Sequence, residues 1–282
     1  MPDGDCGDGV KNPFPKNIVA DKFWAQRKRL FSLFDEGIKL DQESWYSVTP
    51  EAIANHQAES MARRSAAEKA DVVVLDAFCG AGGNAIAFAR HPAISLVICV
   101  DTDPSKLQMA ANNAKIYGIP DKKLLFVHGD ACDVIQQYKD GKRLLDYSAA
   151  TKSSEEIHGY RFGGLDHLPE IISGIFLSPP WGGENYGQIK DYNLRSITLD
   201  NDVDGDKLLE YSARAVPSTY GCIALFLPKN TNGISVGKSA LKIGISGTME
   251  FEQNVLNKKL KAITIYTGPA VFENSANPGG VI

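Results

Sequence analysis

Three short apolar runs in the first half of the chain each end in an aspartate, and each is followed by a segment with helical spacing. The runs cover 72–75, 96–100 and 124–127, and the aspartates are Asp76, Asp101 and, after a glycine, Asp130. Uniformly apolar runs of this length are typical of strands buried on both faces, and their alternation with helices predicts a parallel, doubly wound sheet. Because the carboxyl ends of such strands meet at one edge, we expect the three aspartates to share a cleft there.

Composition is that of a globular chain with one main core. The 282 residues are 43% hydrophobic and 23% charged, and the length permits one substantial core with a small extension. No run approaches the roughly 20 apolar residues of a membrane span, so we expect an intracellular protein with no membrane contact. The net charge of −4 disfavours indiscriminate binding to long nucleic acid and leaves a short or end-specific anionic ligand open.

Cysteine and histidine spacing argues against a metal site and against disulfides. The five cysteines include no C-x-x-C pair, and the five histidines show no ligand spacing. We therefore expect free thiols and no bound metal.

The chain divides into a leader, an extension and a core. Residues 1–20 are rich in Gly, Pro, Asp and Asn and are predicted to be a flexible leader. Residues 21–69 contain two helical patterns, the second starting at Thr49-Pro50-Glu51, and form an N-terminal helical extension or lid. Residues 70–282 form the core, in which the polar stretch 139–169 is interpreted as a surface insertion. Residues 248–255 and 260–267 alternate in polarity and predict an antiparallel pair.

The loop after the first strand indicates a nucleoside cofactor. Asp76, Phe78, Gly80 and Gly82 stand where a strand turns into a helix, and the glycines let a ligand approach the backbone. Asp76 can hold an ammonium group, Asp101 the ribose hydroxyls and Asp130 an adenine amino group, which suits S-adenosylmethionine. A dinucleotide is the rival interpretation, since Gly80-x-Gly82-x-x-Ala85 also fits that fingerprint. The plainest alternative is that each aspartate only caps a helix.

A second motif, Ser178-Pro179-Pro180-Trp181, ends another apolar run. The prolines cannot continue a strand ladder, so their carbonyls are expected to turn into the cleft. Ser178 and a proline carbonyl can accept hydrogen bonds from an exocyclic amino group while Trp181 stacks on its ring. Alone, the motif would more often be a Pro-Pro turn beside a core tryptophan.

These motifs together resemble the trimethylguanosine synthases, a family of class I S-adenosylmethionine-dependent methyltransferases acting on RNA caps. The matching pieces run in order along residues 21–267 and are Phe23-Trp24-Ala25-Gln26-Arg27, Asp35-Glu36-Gly37-Ile38-Lys39-Leu40, Trp45-Tyr46-Ser47-Val48-Thr49-Pro50-Glu51, Asp76-Ala77-Phe78-Cys79-Gly80, Asn112-Asn113-Ala114, Ser178-Pro179-Pro180-Trp181-Gly182-Gly183 and Phe226-Leu227-Pro228. The resemblance implies a Rossmann-like, seven-stranded, mostly parallel sheet with an antiparallel final strand. It also implies two methyl transfers to the 2-amino nitrogen of a 7-methylguanosine cap on small nuclear and nucleolar RNAs.

The resemblance further implies roles for individual residues. Ser178, Pro179 and Trp181 would be catalytic, with Asn113 and Tyr186 beside the base. Lys22 and Lys229 would meet the cap phosphates, and Phe31, Ser47 and Thr49 would close the cofactor pocket. Lys229 stands where relatives are expected to carry arginine, so it would offer a point charge and not a bidentate fork. Glu184 stands where a proline is usual, and the 139–169 insertion lies outside the resemblance. A monomeric catalytic unit, ribonucleoprotein partners and a nuclear, nucleolar residence are expected on the same basis.

Two alternatives of other kinds stay open at this point. A methyltransferase acting on internal guanine or adenine amino groups of RNA or DNA would use a similar Pro-Pro-aromatic motif. A cap-binding scaffold would keep the fold without the transfer, and failure to bind S-adenosylmethionine would favour it.

Overall fold

The computed structural model describes residues 10–65, 71–144, 155–245 and 249–269. Its helices are α1 (Asp21–Trp24), α2 (Arg27–Leu30), α3 (Ser44–Ser47), α4 (Glu51–Ser65), α5 (Gly83–Arg90), α6 (Pro104–Ile116), α7 (Ala131–Ile135), α8 (Gly205–Ala215) and α9 (Gly233–Lys242). Its strands are β1 (Val72–Asp76), β2 (Ile94–Asp101), β3 (Leu124–His128), β4 (Tyr138–Lys139), β5 (Lys142–Arg143), β6 (Glu155–Ile157), β7 (Tyr160–Gly163), β8 (Gly174–Leu177), β9 (Thr198–Leu199), β10 (Val203–Asp204), β11 (Cys222–Pro228), β12 (Glu250–Leu256) and β13 (Lys259–Thr267). Within these ranges no helix is long and apolar enough to cross a membrane.

A nine-stranded sheet in the order β12-β13-β11-β8-β1-β2-β3-β7-β6 organises the molecule. Strands β1, β2, β3, β8 and β11 are parallel to their neighbours among these strands, and β13 runs antiparallel to β11. This is the class I methyltransferase arrangement, so the predicted fold class is confirmed. The predicted antiparallel pair is β12 and β13, which run side by side.

The strand count differs from the expectation of seven. The two additional strands, β6 and β7, come from the 139–169 insertion, and β7 pairs in parallel with β3. The insertion therefore extends the edge of the central sheet and is more than a surface loop. Phe162 of β7 stacks on Phe126 of β3 with ring centroids 5.0 Å apart, which gives this polar stretch an apolar anchor.

Successive side chains of β1 lie on opposite faces of the sheet, and both faces are covered. Val72 and Val74 pack with the cluster beneath α4, α5 and α6, whereas Val73 and Leu75 pack with the opposite cluster beneath α7, α8 and α9. All of these side chains are buried, so the strand has no polar face. A sheet sandwiched in this way presents its strand ends, and not its faces, to ligands.

The extension is less regular than its sequence suggests. In place of one helix before Gly37, the chain forms α1, α2 and a 3₁₀ turn at Phe34–Glu36. The aromatic side chains turn to different partners: Trp24 contacts Trp45, while Phe31 contacts Tyr117 of the core. These divergent contacts explain the breaks in the helix.

Residues 10–20 also differ from the flexible leader that was expected. Val19 is buried, the Val10 carbonyl accepts a hydrogen bond from the Trp24 indole at 2.9 Å, and Phe14 contacts Trp45. This part of the leader therefore packs on the extension through its apolar side chains, and residues 1–9 lie outside the described residues.

Candidate active site

A cavity of about 370 Å³ opens at the carboxyl ends of β1, β2, β3 and β8. The extension supplies one wall, and the loops that follow the four strands supply the rest. Of the predicted site residues, those that line this cavity are Ser47, Thr49, Phe78, Gly80, Asp101, Asp130, Ser178, Trp181 and Tyr186. Residues that are distant in sequence thus meet where the strand pattern predicted a cleft.

Asp76, predicted to bind cofactor, is the last residue of β1 and is not itself among the residues that line the cavity. Its side chain is fully buried, and neither oxygen completes a hydrogen bond, although the amides of Phe78 and Ala85 approach it and lower its pKa in part. Burial, with added repulsion from Asp101, raises the pKa of Asp76 to about 7. A buried carboxylate without a partner is costly, so a cationic ligand group here would satisfy it. Its chain neighbours Ala77 and Phe78 line the cavity.

Asp101 and Asp130 line the cavity with carboxylates held by backbone amides. Asp101 accepts from the amides of Gly80 and Asp103, both at 2.9 Å, and burial raises its pKa although these amides lower it in part. Asp130 accepts from the Cys132 amide at 2.7 Å and caps α7. The plain helix-cap interpretation is therefore correct for Asp130, which nonetheless faces the cavity.

The two glycines of the loop have different tasks. Gly80 has φ +53°, lines the cavity and leaves open space where a Cβ would stand. Gly82 has φ +88°, and a Cβ there would lie 3.0 Å from the Cβ of Ala110. Gly82, predicted to bind cofactor, thus does not line the cavity, and it permits the close approach of α5 to α6.

Trp181 is fixed at the cavity mouth by contacts on three sides. Its indole nitrogen donates to the Phe226 carbonyl at 3.0 Å, and its ring lies 5.4 Å from the Phe226 ring and 5.2 Å from that of Tyr186. The Tyr186 contact is edge-to-face at 79°. The tryptophan is half-buried, so one part of its ring surface faces the cavity.

Ser178 is similarly held at the end of β8. Its hydroxyl donates to the Phe78 carbonyl at 3.3 Å, which leaves its lone pairs available to accept. Pro179, predicted at the reacting nitrogen, is buried, and it is Pro180 that lines the cavity. The turn after β8 thus presents the second proline because successive residues of an extended chain face opposite sides.

Four other predicted residues are not brought into the cavity. Phe31 is buried against Tyr117, with ring centroids 6.2 Å apart. Asn113 is fully buried, and its amide bonds the Lys39 amide and carbonyl at 2.8 and 2.9 Å and the Ala81 carbonyl at 3.0 Å. Asn113 therefore joins the extension to the cofactor loop and has no free group for a base.

The two lysines expected at the cap phosphates lie outside the cavity. Lys22 is exposed, with its ammonium 4.8 Å from the Phe23 ring centroid, and Phe23 contacts Tyr46 of the cavity wall. Lys229 is exposed directly after β11, whose Phe226 lines the cavity. Their role at phosphates stays a prediction.

Several lining residues were missed by sequence reasoning, namely Glu43, Tyr46, Val48, Asn84, Lys106, Thr198, Leu199, Asp200 and Phe226. Residues 198–200 follow a stretch with no recognisable pattern, so no signal identifies them. Lys106 bonds Glu43 at 2.6 Å across the junction of core and extension. Among the described residues that line the cavity, four carry carboxylates and one, Lys106, carries a positive charge; the four are Glu43, Asp101, Asp130 and Asp200. Such a net acidic lining suits a cation and disfavours a pyrophosphate.

Among the described residues, no group of three His, Cys, Asp or Glu side chains is placed to hold a metal ion. Cys79, Cys99, Cys132 and Cys222 are free and buried, and Cys6 lies outside the described residues.

Comparison with known proteins identifies the chemistry. Residues 71–270 match the family described as RNA cap guanine-N2 methyltransferase. A trimethylguanosine synthase of Schizosaccharomyces pombe is 36% identical over 220 residues, covering 78% of this chain and 74% of its own. The trimethylguanosine synthase of Saccharomyces cerevisiae is 29% identical over 230 residues, covering 81% of this chain and 60% of its own. The crystal structure of an S-adenosylmethionine-dependent methyltransferase from Agrobacterium tumefaciens covers 79% of this chain and 63% of its own, with 13% identity and a TM-score of 0.51, which supports the fold.

Proposed function

This chain belongs to the RNA cap guanine-N2 methyltransferase family, and from that premise we propose that it makes 2,2,7-trimethylguanosine caps by two successive transfers to the 2-amino nitrogen of 7-methylguanosine. It is an S-adenosylmethionine-dependent methyltransferase, which the family membership establishes. The observation that carries the proposal is Trp181, fixed beside Ser178 at the mouth of an acidic cavity.

The cofactor fits the acidic set at the strand ends. Asp76 would offer the ammonium group a buried carboxylate directly beside the cavity-lining residues Ala77 and Phe78, and Asp101 would offer oxygens for the ribose hydroxyls. Asp130 would accept from the adenine amino group, while Ser47 and Thr49 close the wall from the extension. When bound, S-adenosylmethionine supplies an electrophilic methyl group on a sulfonium.

Trp181 accounts for recognition of a methylated guanine. A 7-methylguanine ring is cationic, so an aromatic face attracts it by about 0.5–2 kcal/mol more than it attracts plain guanine. Phe226 and Tyr186 hold the indole in place, so little ordering of the tryptophan is needed on binding.

Ser178 orients the reacting amino group. Its hydroxyl hydrogen is engaged by the Phe78 carbonyl, so the serine oxygen can only accept from the incoming –NH₂. The lone pair of that nitrogen is thereby directed at the methyl carbon for in-line attack. Catalysis in this scheme comes from positioning, with no dedicated general base.

Family membership also supports a proposal for the substrate RNAs and the cellular setting. We propose capped small nuclear and nucleolar RNAs as substrates, with Lys22 and Lys229 at the cap phosphates. A monomeric catalytic unit that meets ribonucleoprotein partners in the nucleus and nucleolus is part of this proposal. Its support is the likeness to two trimethylguanosine synthases.

The test is a methyl-transfer assay on a 7-methylguanosine cap dinucleotide, beside the unmethylated cap and two variants at Trp181. Wild type is expected to methylate only the first substrate. Trp181→Ala loses stacking worth about 1–3 kcal/mol, which corresponds to a rise in KM of about 5- to 150-fold. Trp181→Phe keeps an aromatic face and is expected to lie between the two.

Binding of S-adenosylmethionine to each variant provides the control for folding, because the tryptophan does not belong to the proposed cofactor set. Equal transfer to both caps would contradict the cation-based account of selectivity. Transfer to internal guanine or adenine of uncapped RNA would favour the alternative enzyme, and absence of any transfer would favour a scaffold.

A further inference from the structure

A second cavity, of about 320 Å³, lies on the surface outside the candidate active site. It is formed by α9 and by the 3₁₀ turn Leu194–Ser196, and its lining residues are Asn193, Arg195, Ser235, Lys238, Ser239 and Lys242. We call it the cationic cavity, because the described residues that line it include three cations and no carboxylate. Ammonium, guanidinium, hydroxyl and amide groups are the donors that bind phosphate oxygens.

The two lysines of the cationic cavity carry uncompensated charge. Arg195 bonds the Asp206 carboxylate at 3.0 Å, so its charge is partly neutralised. Lys238 and Lys242 are both exposed, and neither forms an ion pair with a described residue. They stand four residues apart on α9, where like charges repel. Lys242 in the last turn is favoured by the helix dipole, but Lys238 has no such compensation.

Two chain segments run from the active site to the cationic cavity, and we call them the connecting wall. Tyr186 lines the active site, and Asn193, further along the same segment, lines the cationic cavity. On the second segment, Phe226 lines the active site and Ser235 lines the cationic cavity. Because a chain extends by about 3.3–3.6 Å per residue, the second segment separates the cavities by at most about 30 Å.

Hydrogen bonds hold the two segments of the connecting wall together. The Tyr192 amide donates to the Asn230 carbonyl at 3.2 Å, and the Asn232 amide donates to the Tyr192 carbonyl at 2.7 Å. The Asn230 side chain donates to the Tyr186 carbonyl at 3.0 Å. Two exposed lysines, Lys190 and Lys229, and one exposed aspartate, Asp191, occur on the two segments between the cavities. The surface between the mouth of the active site and the cationic cavity therefore has a small net positive charge.

We propose that the cationic cavity binds backbone phosphates of the RNA chain just beyond the cap. This inference rests on the proposed function, because it requires the RNA to leave the active site from a base stacked on Trp181. The acidic lining of the active-site cavity repels a polyanion, so the RNA must follow the surface that carries free cations. Phosphate contacts of this kind increase affinity without selecting a sequence.

The experiment compares two substrates with the full chain and a double variant, Lys238→Ala with Lys242→Ala. The substrates are a 7-methylguanosine cap dinucleotide and a single-stranded RNA of about 12 nucleotides carrying the same cap, long enough to pass the connecting wall. KM and kcat are measured over a series of salt concentrations. The double variant is expected to leave both constants unchanged for the dinucleotide. For the capped RNA its KM rises, and the slope of log KM against log salt falls by about 1.4, since each phosphate contact to a single strand contributes about 0.7.

If the lines for wild type and the double variant meet at 1 M salt, a slope difference of about 1.4 corresponds to a KM about 25-fold higher for the variant at 0.1 M salt. The matched control removes two exposed lysines elsewhere, Lys115→Ala with Lys122→Ala. Lys115 lies in the last turn of α6 and Lys122 lies just before β3, a strand on the far side of β1 from β11 in the sheet order. The control is expected to match wild type on both substrates.

Each outcome bears on one claim. A capped-RNA KM that the α9 variant leaves unchanged overturns the inference and leaves the cationic cavity to an acidic protein segment. An equal rise in KM for dinucleotide and RNA also overturns it, because the lysines would then act on the cap site. Failure of wild type to methylate either capped substrate contradicts the proposed function itself.

Discussion

The Asp76 carboxylate gives the site a pH dependence that can be measured without turnover. Its pKa is raised to about 7, first by burial, so the ligand-free protein holds a proton there in mild acid. An ammonium group pairs with the ionised form, so affinity for S-adenosylmethionine should rise with pH and level off above about 7, changing up to about tenfold per pH unit below it. Calorimetric titration from about pH 5.5 to about pH 7.5 measures this. Asp76→Asn should bind weakly with no such rise.

The same group has the opposite effect on the stability of the ligand-free protein. Its folded pKa lies above the ordinary value, so the native state binds the proton more tightly than the unfolded chain does. The stabilising proton is lost as pH rises toward about 7, and the free energy of unfolding falls. Denaturant unfolding of wild type and Asp76→Asn should be measured at about pH 5.5 and about pH 7.5. The free energy of unfolding should fall more between these two pH values for wild type than for the variant. Equal slopes would mean that Asp76 is ionised throughout.

For individual residues, the sequence predicted correctly which side chains line the cavity where they follow a buried strand. It failed for side chains on or near helices, which could face either the cavity or another part of the core. Asp101, Asp130, Ser178 and Trp181 each follow a recognisable buried strand, so their location at one edge was determined by the sheet. Phe31 and Asn113 lie in or after helices, where spacing shows periodicity but not which partner a face meets. Asn113 therefore turned out to bond backbone groups of two segments.

Among the elements, the junction of the extension with α6 depends on Asn113. Asn113→Ala leaves the buried Ala81 carbonyl without its side-chain partner and frees the Lys39 backbone. The expected cost is about 1–3 kcal/mol in the free energy of unfolding, measured by denaturant titration. Because Ala81 belongs to the cofactor loop, KM for S-adenosylmethionine should rise more than kcat falls.

The neighbouring Asn112 provides the matched control for this variant. Asn112 donates to the Gly37 carbonyl at 3.1 Å and to the Asn113 side-chain oxygen at 3.2 Å. It is only partly buried, so water can replace it, and the Asn113 oxygen still accepts from the Lys39 amide. Asn112→Ala should therefore change stability by less than about 0.5 kcal/mol. A similar loss in both variants would show that Asn113 has no special part in joining the extension to the loop.

For the whole molecule, we expect the 139–169 insertion to contribute to stability and not to activity. Tyr160 of β7 donates to the Ile119 carbonyl at 2.6 Å and packs against Phe126, at the sheet edge beyond β3. Tyr160→Phe keeps the ring and loses the hydrogen bond, so the free energy of unfolding should fall by about 1 kcal/mol. Cap methylation should be unchanged, because Tyr160 does not line the active-site cavity. A change in kcat of several-fold would show that the edge strands communicate with the site.

The central strands of the sheet could be predicted from the sequence because burial on both faces requires continuous apolar runs, as in β1 and β11. The edge strands from the insertion could not, since their sequence is mostly polar; among their described side chains, Tyr160 and Phe162 contact the apolar core. Long-range pairing, and not local composition, decides where such segments lie.

The net acidic lining of the active site also favours the methyl donor over the molecule that remains after its methyl group has been transferred. S-adenosylmethionine carries a positive sulfur, and this charge disappears once the methyl group has been transferred. The carboxylates around it, Asp101 and Asp130 among them, therefore hold the spent molecule less tightly than the fresh one. Under the proposed function, two transfers to one cap require the donor to be exchanged in between, and a cap stacked on Trp181 would undergo no such loss of charge. The protein would then retain its RNA while its donor is exchanged.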